Sequence, residues 1–154
     1  MLHELDDLDK ELLRILQKDA TFTNKELAYK LNKSVATIHE RVKKLKEKGF
    51  IQKIVAIVDR KKIEKKLIAI SHVLLREHTK TALGEFESQV AKFEHVMECY
   101  QMTGSFDFIL RIACKDMDDY HLFLRNQLAT LSNVVTVQSY FILSETKNET
   151  AYPI

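Results

Sequence analysis

The sequence predicts an α+β chain in two parts, three helices followed by a β-α-β-β-α-β unit. Three observations predict it. Apolar residues recur at helical spacing through the first fifty positions. From about residue 66 the pattern changes to β-branched and alternating runs interrupted by two helical stretches. Charge is also segregated, with net −3 over residues 1–29, +6 over 30–60 and −1 over 61–154. With 3 glycines and 1 proline in 154 residues, long flexible linkers and Pro-rich segments are excluded.

The elements follow in order. "LDDLDKELLRILQKD" sets Leu5, Leu8, Leu12, Ile15 and Leu16 along one face of a first helix. "TNKELAYKL" opens with Thr23 and carries Glu26 three residues later, a capping box, with Leu27, Ala28 and Leu31 facing inward. Asn32 tolerates the left-handed conformation of a helix end, and Ser34 suits the N-cap of a third helix. In that helix Val35, Ile38, Val42 and Leu45 form one apolar stripe, and Gly49 ends it. "FIQKIVAIVD" alternates and predicts a strand, which makes the first part a winged helix-turn-helix with a short β linker. In the second part "KLIAISHVLLRE" reads as a strand. "TKTALGEFESQVAKF" reads as a helix burying Leu83, Phe86, Val90 and Phe93. "HVMECYQMT" and "FDFILRIAC" are strands joined by a tight Gly104-Ser105 turn. "KDMDDYHLFLRNQLATL" is a helix capped by Asp116, and "NVVTVQSYFILSE" is a last strand. This order is that of the ferredoxin-like sandwich. The expected domains are residues 1–60 and 61–154, divided within "VDRKKIEKK".

Several function classes drop out. Cys99 and Cys114 are too few for a disulfide framework or a zinc site, and both read as buried free thiols. No histidine pair has metal-ligand spacing, so no metal and no cofactor are expected. No phosphate loop, nucleophile elbow or zincin motif occurs, so no enzyme is expected. The acidic start lacks a signal-peptide core, and "LIAISHVLL" is too short to span a bilayer, so a cytoplasmic protein off the membrane is expected.

The third helix carries the functional signal. Residues 30–51 hold seven basic side chains against two acids, Glu40 and Glu47. A solvated helix face and a polyanion footprint both fit such a run. Two helices joined by a short turn, the second capped and cationic, fit a helix-turn-helix that places the second helix in the major groove of double-stranded DNA. Ala36, Thr37, His39, Glu40 and Arg41 would then face outward, with Thr37, His39 and Arg41 able to read bases. Lys43, Lys44 and Lys46 would meet phosphates, joined by the amides after Ser34. Arg41 equally fits a phosphate contact or an intramolecular ion pair.

The whole chain resembles the Lrp/AsnC (feast/famine) transcription regulators. The first half carries Leu5-Asp6, Asp9, Ile15-Leu16, Glu26-Leu27-Ala28, Ser34, Arg41-Val42, Leu45, Gly49 and Ile51 in the family's pattern. "YQMTGSFDFIL" is similar to its Gly-Asp-Tyr-Asp-Tyr hairpin, with Ser105 in place of the usual first Asp. The family's Leu-Pro-Gly-Val before the last strand is "LSNV" here, and its glycine before the first strand of this domain is missing.

The resemblance implies sequence-specific transcription regulation and an amino-acid effector. It implies a homodimer built sheet to sheet, and higher homo-oligomers such as an octamer. It places the effector at contacts between subunits, at the turn of Thr103, Gly104, Ser105 and Asp107, with Tyr100, Ser139 and Phe141 lining the pocket. Independently, Asp107 is a carboxylate in an apolar strand, which calls for a cation, either an effector ammonium or a side chain such as Arg111. The competing readings are an architectural DNA-wrapping protein without effector response and an enzyme on a ferredoxin-like scaffold.

Overall fold

The computed structural model describes residues 5–154. The chain forms two compact units, one running to Ile57 and the other spanning Val58–Glu145. The last residues, Thr146–Ile154, fold back with the first unit rather than staying with the second. They are held there by reciprocal bonds between the Gln17 side chain and the Tyr152 backbone, at 2.7 and 3.3 Å.

The first unit contains α1 (Asp7–Leu16), α2 (Asn24–Lys30) and α3 (Val35–Glu47). Each start is fixed by a side chain that accepts an orphan helical N–H, namely Asp6, Thr23 and Ser34. The Thr23–Glu26 capping box is reciprocal. Asn32 (φ 50°) and Gly49 (φ 77°) take the left-handed conformations that end α2 and α3. Leu12, Leu13, Leu27, Ala28, Ile38 and Leu45 form the core. Val35, expected in that stripe, is 48% exposed, because it is the first residue of α3 and lies beyond the reach of α1 and α2.

A second expectation fails immediately after α3. Residues 52–58 pair with no strand, and Ile54, Val55, Ile57 and Val58 are exposed. Alternation supplies a strand-forming sequence, but a ladder also needs a neighbouring edge, and the described residues provide none there.

The second unit is built from β1 (Leu67–Leu75), α4 (Lys80–Val90), β2 (Val96–Gln101), β3 (Phe108–Cys114), α5 (Met117–Asn126) and β4 (Val134–Phe141). A 3-10 turn, Leu128–Thr130, follows α5 where the sequence predicts one continuous helix. The antiparallel sheet has order β2-β3-β1-β4, as in a ferredoxin-like sandwich.

Alternation divides the sheet into two faces. Ala69, Val73, Leu75, Phe108, Leu110, Ile112 and Cys114 pack against Phe86, Val90, Tyr120 and Phe123 of the helices. Burial pushes the Cys114 thiol up to about 11. The other face presents Ile70, His72, Ile109, Arg111, Tyr100 and Tyr140. There His72 lies between the rings of Phe106 and Tyr140, at 5.3 and 5.4 Å.

The β2–β3 connection is longer than a two-residue hairpin. It spans residues 102–107 and is closed by the Met102 N–H donating to the Asp107 carbonyl at 2.8 Å. Thr103, Gly104 and Ser105 are its exposed tip, with Gly104 at φ 121°. A side chain at residue 104 would be strained by that φ alone.

Candidate nucleic-acid interface and effector turn

The start of α3 is shaped by Ser34. Its Oγ accepts from the Thr37 N–H at 3.0 Å and shares a hydrogen bond with Thr37 Oγ1 at 2.8 Å. Ser34, Ala36, Thr37, His39 and Glu40 are all exposed, and Lys43 and Lys44 follow one turn on. Ala36, His39, Glu40 and Lys43 share one side of the helix by their spacing of three and four. The His39 ring is set by Asn24 of α2, whose amide donates to Nδ1 at 3.1 Å. That bond leaves Nε2 as the protonated, outward nitrogen when the ring is neutral. Lys43 makes only a loose exposed pair with Glu47, at 3.8 Å. Such pairs contribute little and exchange readily for a phosphate. Lys33 and the 92%-exposed ring of Tyr29 add to the same unit's surface.

Arg41 is not on that surface. Its guanidinium turns back to α1, where it pairs with Asp6 and with Asp9 at 3.2 Å. Asp9 is almost buried among the leucines of α1, so its charge needs this partner. Arg41 therefore makes the intramolecular ion pair that the sequence allowed beside a DNA contact. A signal exists in the sequence, because Asp9 falls within the apolar face formed by Leu5, Leu8, Leu12 and Leu16. The backbone N–H of Asp9 and then the Arg41 guanidinium hold the Asp6 carboxyl below its ordinary range, and Asp6 in turn raises Arg41.

The Asp107 carboxylate is also engaged. It accepts from the Leu75 N–H at 2.8 Å and lies 3.0–3.1 Å from His78 Nε2. The Asp107 N–H donates to the Val73 carbonyl at 2.9 Å, so this one residue ties the 102–107 turn to the end of β1. Arg111 instead pairs with Glu98 on the neighbouring strand, at 3.6 Å. Strand geometry explains the choice, since residues four apart on one strand are far apart while Glu98 lies directly across. Sequence reasoning misses His78, and only its position just after a strand end could have placed it near the turn.

Within one chain the expected effector residues lie in three places. Thr103, Gly104, Ser105 and Asp107 sit together at the turn. Tyr100 is on the edge strand β2 and faces the open side. Ser139 and Phe141 are on the opposite edge strand, β4, and face the helices. Ser139 Oγ bonds to Ser71 Oγ at 2.9 Å and to the Tyr120 hydroxyl, and Phe141 stacks edge-on against Tyr120 at 5.1 Å. The alternation of β4 turns Gln138 and Tyr140 outward and Ser139 and Phe141 inward, so within one chain they lie on the opposite face from Tyr100.

Residues 5–52 match the family model described as winged helix-turn-helix DNA-binding, and residues 68–152 match the Lrp/AsnC ligand binding domain. The chain belongs to the Lrp/AsnC family. It is 35% identical over 150 residues to the transcriptional regulator AzlB of Bacillus subtilis, covering 97% of this chain and 96% of that one. It is 30% identical over 144 residues to the leucine-responsive regulatory protein of Escherichia coli strain K12, covering 94% and 88%. A transcriptional regulator of Neisseria meningitidis, solved as its L-Met complex, superposes with a TM-score of 0.93 at 29% identity over 97% of both chains. This Lrp/AsnC protein is thus a DNA-binding transcription regulator that joins a helix-turn-helix unit to a ligand-binding domain. Among the described residues no helix is long and apolar enough to cross a membrane.

Proposed function

We propose that this regulator binds double-stranded DNA in the cytoplasm as a homodimer that assembles further, to an octamer, and that an amino acid bound at the 103–105 turn changes that binding. The exposed, capped and cationic start of α3 carries the reading. Ala36, Thr37, His39 and Glu40 meet base edges, while Lys43, Lys44 and the N–H groups following Ser34 hold phosphates.

The open sheet face supports self-association. Beside the Arg111–Glu98 pair it presents Ile70, His72, Ile109 and the exposed rings of Tyr100 and Tyr140, and a second copy of the same face covers it by two-fold symmetry. A dimer then offers two α3 helices to a roughly palindromic site. Light scattering coupled to gel filtration tests this, and a monomeric mass would exclude it.

The effector's carboxylate meets the backbone of Thr103, Gly104 and Ser105, and its ammonium takes the place of His78 on Asp107. Relatives named for leucine and solved with L-Met support an apolar α-amino acid. The decisive experiment is fluorescence-anisotropy binding to the DNA upstream of the gene against a scrambled duplex, with and without leucine, methionine and other amino acids. Selective binding shifted by one amino acid is expected. Equal binding to both duplexes, unmoved by any amino acid, would leave the architectural reading, which the engagement of Asp107 by His78 favours.

A further inference from the structure

Three side chains outside both sites meet on the helix-covered side of the sheet. His95 directly precedes β2, Cys114 ends β3, and Asp119 lies in the first turn of α5. One ligand atom from each lies within 4.8 Å of the other two, the only such group of three among the described residues. Their spacing in sequence, 19 and then 5 residues, hides the cluster from any motif search. The sheet assembles it, since the Ala113 N–H donates to the His95 carbonyl at 2.8 Å and brings His95 beside the end of β3.

We propose that His95, Cys114 and Asp119 bind a divalent cation of the zinc class. The donor set of one thiolate, one imidazole and one carboxylate suits such an ion and leaves a fourth position for water. The site also has held orientations. The His95 ring packs on Phe123 at 5.1 Å, its Nε2 lies 3.1 Å from Asp119 Oδ1, and Asp119 Oδ2 accepts from the Lys115 N–H at 2.8 Å. His95 Nε2 is the nitrogen that faces Asp119, while Nδ1 is buried without a hydrogen-bond partner. Cys114 is 1% exposed, whereas the His95 and Asp119 side chains keep 20% and 30% of their surface, so the cation enters from their side.

The geometry requires only a small contraction. Tetrahedral bonds of about 2.0–2.3 Å put neighbouring ligand atoms about 3.3–3.8 Å apart. The three atoms must therefore close by up to about 1.5 Å, through rotation of the side chains. On binding, the Cys114 S–H bond breaks, a sulfur–metal bond forms, and the proton passes to solvent. Two anionic ligands then balance the charge of the ion.

The test uses the full chain, freed of metal with a chelator, and Co2+ as the probe. One Co2+ per chain is expected, with a thiolate-to-cobalt charge-transfer band that added Zn2+ removes. Cys114→Ser should abolish the band and Cys99→Ser should keep it. Asp119→Asn should weaken Co2+ binding at least tenfold, and Zn2+ should raise the melting temperature of the wild type but not of Cys114→Ser. Absence of the band in the wild type at saturating Co2+, or its persistence in Cys114→Ser, would overturn the site. If Cys114→Ser fails to fold, the Cys99→Ser protein decides the matter, because its only thiol is Cys114 and the band must persist there.

Discussion

Arg41 of α3 and Asp9 of α1 are joined at 3.2 Å by an ion pair that links the two helices, and Asp6, the cap of α1, shares the same guanidinium. The pair locks the first helix onto the one that faces DNA. Arg41→Ala leaves the nearly buried Asp9 without a cation, so it should destabilise the unit by about 1–3 kcal/mol. Urea unfolding measures the loss. Asp9→Asn should cost less, because no buried charge is stranded. DNA binding by Arg41→Ala should fall only as the folded fraction falls.

The same ion pair gives a pH dependence. The Asp6 carboxyl is depressed by the Asp9 N–H first and by Arg41 after it. A depressed carboxyl contributes stability above its unfolded value of about 3.9 and loses it as pH falls through the folded value. The unit should therefore be flat in stability from neutral pH down to about 5 and weaken below about 4. Asp6→Asn should flatten that acid limb. Because Asp6 is half exposed, added salt should shrink the difference. Thermal melts over this range check both points.

Lys43 and Lys44 should act on affinity rather than choice. Each phosphate left without its lysine lowers the slope of log K against log salt by about 0.9. The double change Lys43→Ala, Lys44→Ala should weaken specific and scrambled duplexes alike and reduce the slope by about 2. Thr37→Ala should instead narrow the gap between the two duplexes, by about 1–3 kcal/mol if it reads a base. Titrations at several salt concentrations separate the two effects.

Much of this is written locally in the chain. Caps at Thr23, Ser34 and Asp116, the stops at Asn32 and Gly49, and the alternation of the strands depend on neighbours a few residues away, and they stand where the sequence puts them. What depends on distant partners is not legible. Residues 50–59 have strand chemistry but no edge to pair with. Arg41 has the charge and position of a DNA contact, and only the fold brings Asp6 and Asp9, over thirty residues earlier, beside it. The carboxylate of Asp107 calls for a cation, yet nothing in the spacing names His78. Ser139 and Phe141 join a shared pocket only by analogy, and the register of β4 shows which face they take.

That register has its own consequence. Ser71, Tyr120 and Ser139 form a hydroxyl cluster beneath the sheet, with Ser71 fully buried. Tyr120→Phe removes the hydroxyl common to both serines and should cost about 1–3 kcal/mol. Ser139→Ala leaves Ser71 bonded to Tyr120 at 3.2 Å and should cost less. Chemical denaturation of the two variants gives the comparison.

Asp107 carries two roles that one substitution can separate. Its Oδ2 accepts from the Leu75 N–H, and its carboxylate lies within hydrogen-bond reach of His78 Nε2. Asp107→Asn keeps an oxygen for Leu75 and removes the charge, so the turn stays closed and the fold persists. Hydrogen bonds to a charged group contribute about 1.5–3 kcal/mol, so the affinity for an amino-acid effector should fall roughly tenfold to a hundredfold. DNA binding without effector should be unchanged. Asp107→Ala also frees the Leu75 N–H and should loosen the turn, confusing ligand loss with misfolding. His78→Ala sharpens the test, since an ammonium that replaces the imidazole should bind more tightly once the competitor is gone. Calorimetry with leucine and methionine on the three proteins measures this, and equal affinity in all of them would move the effector away from the turn.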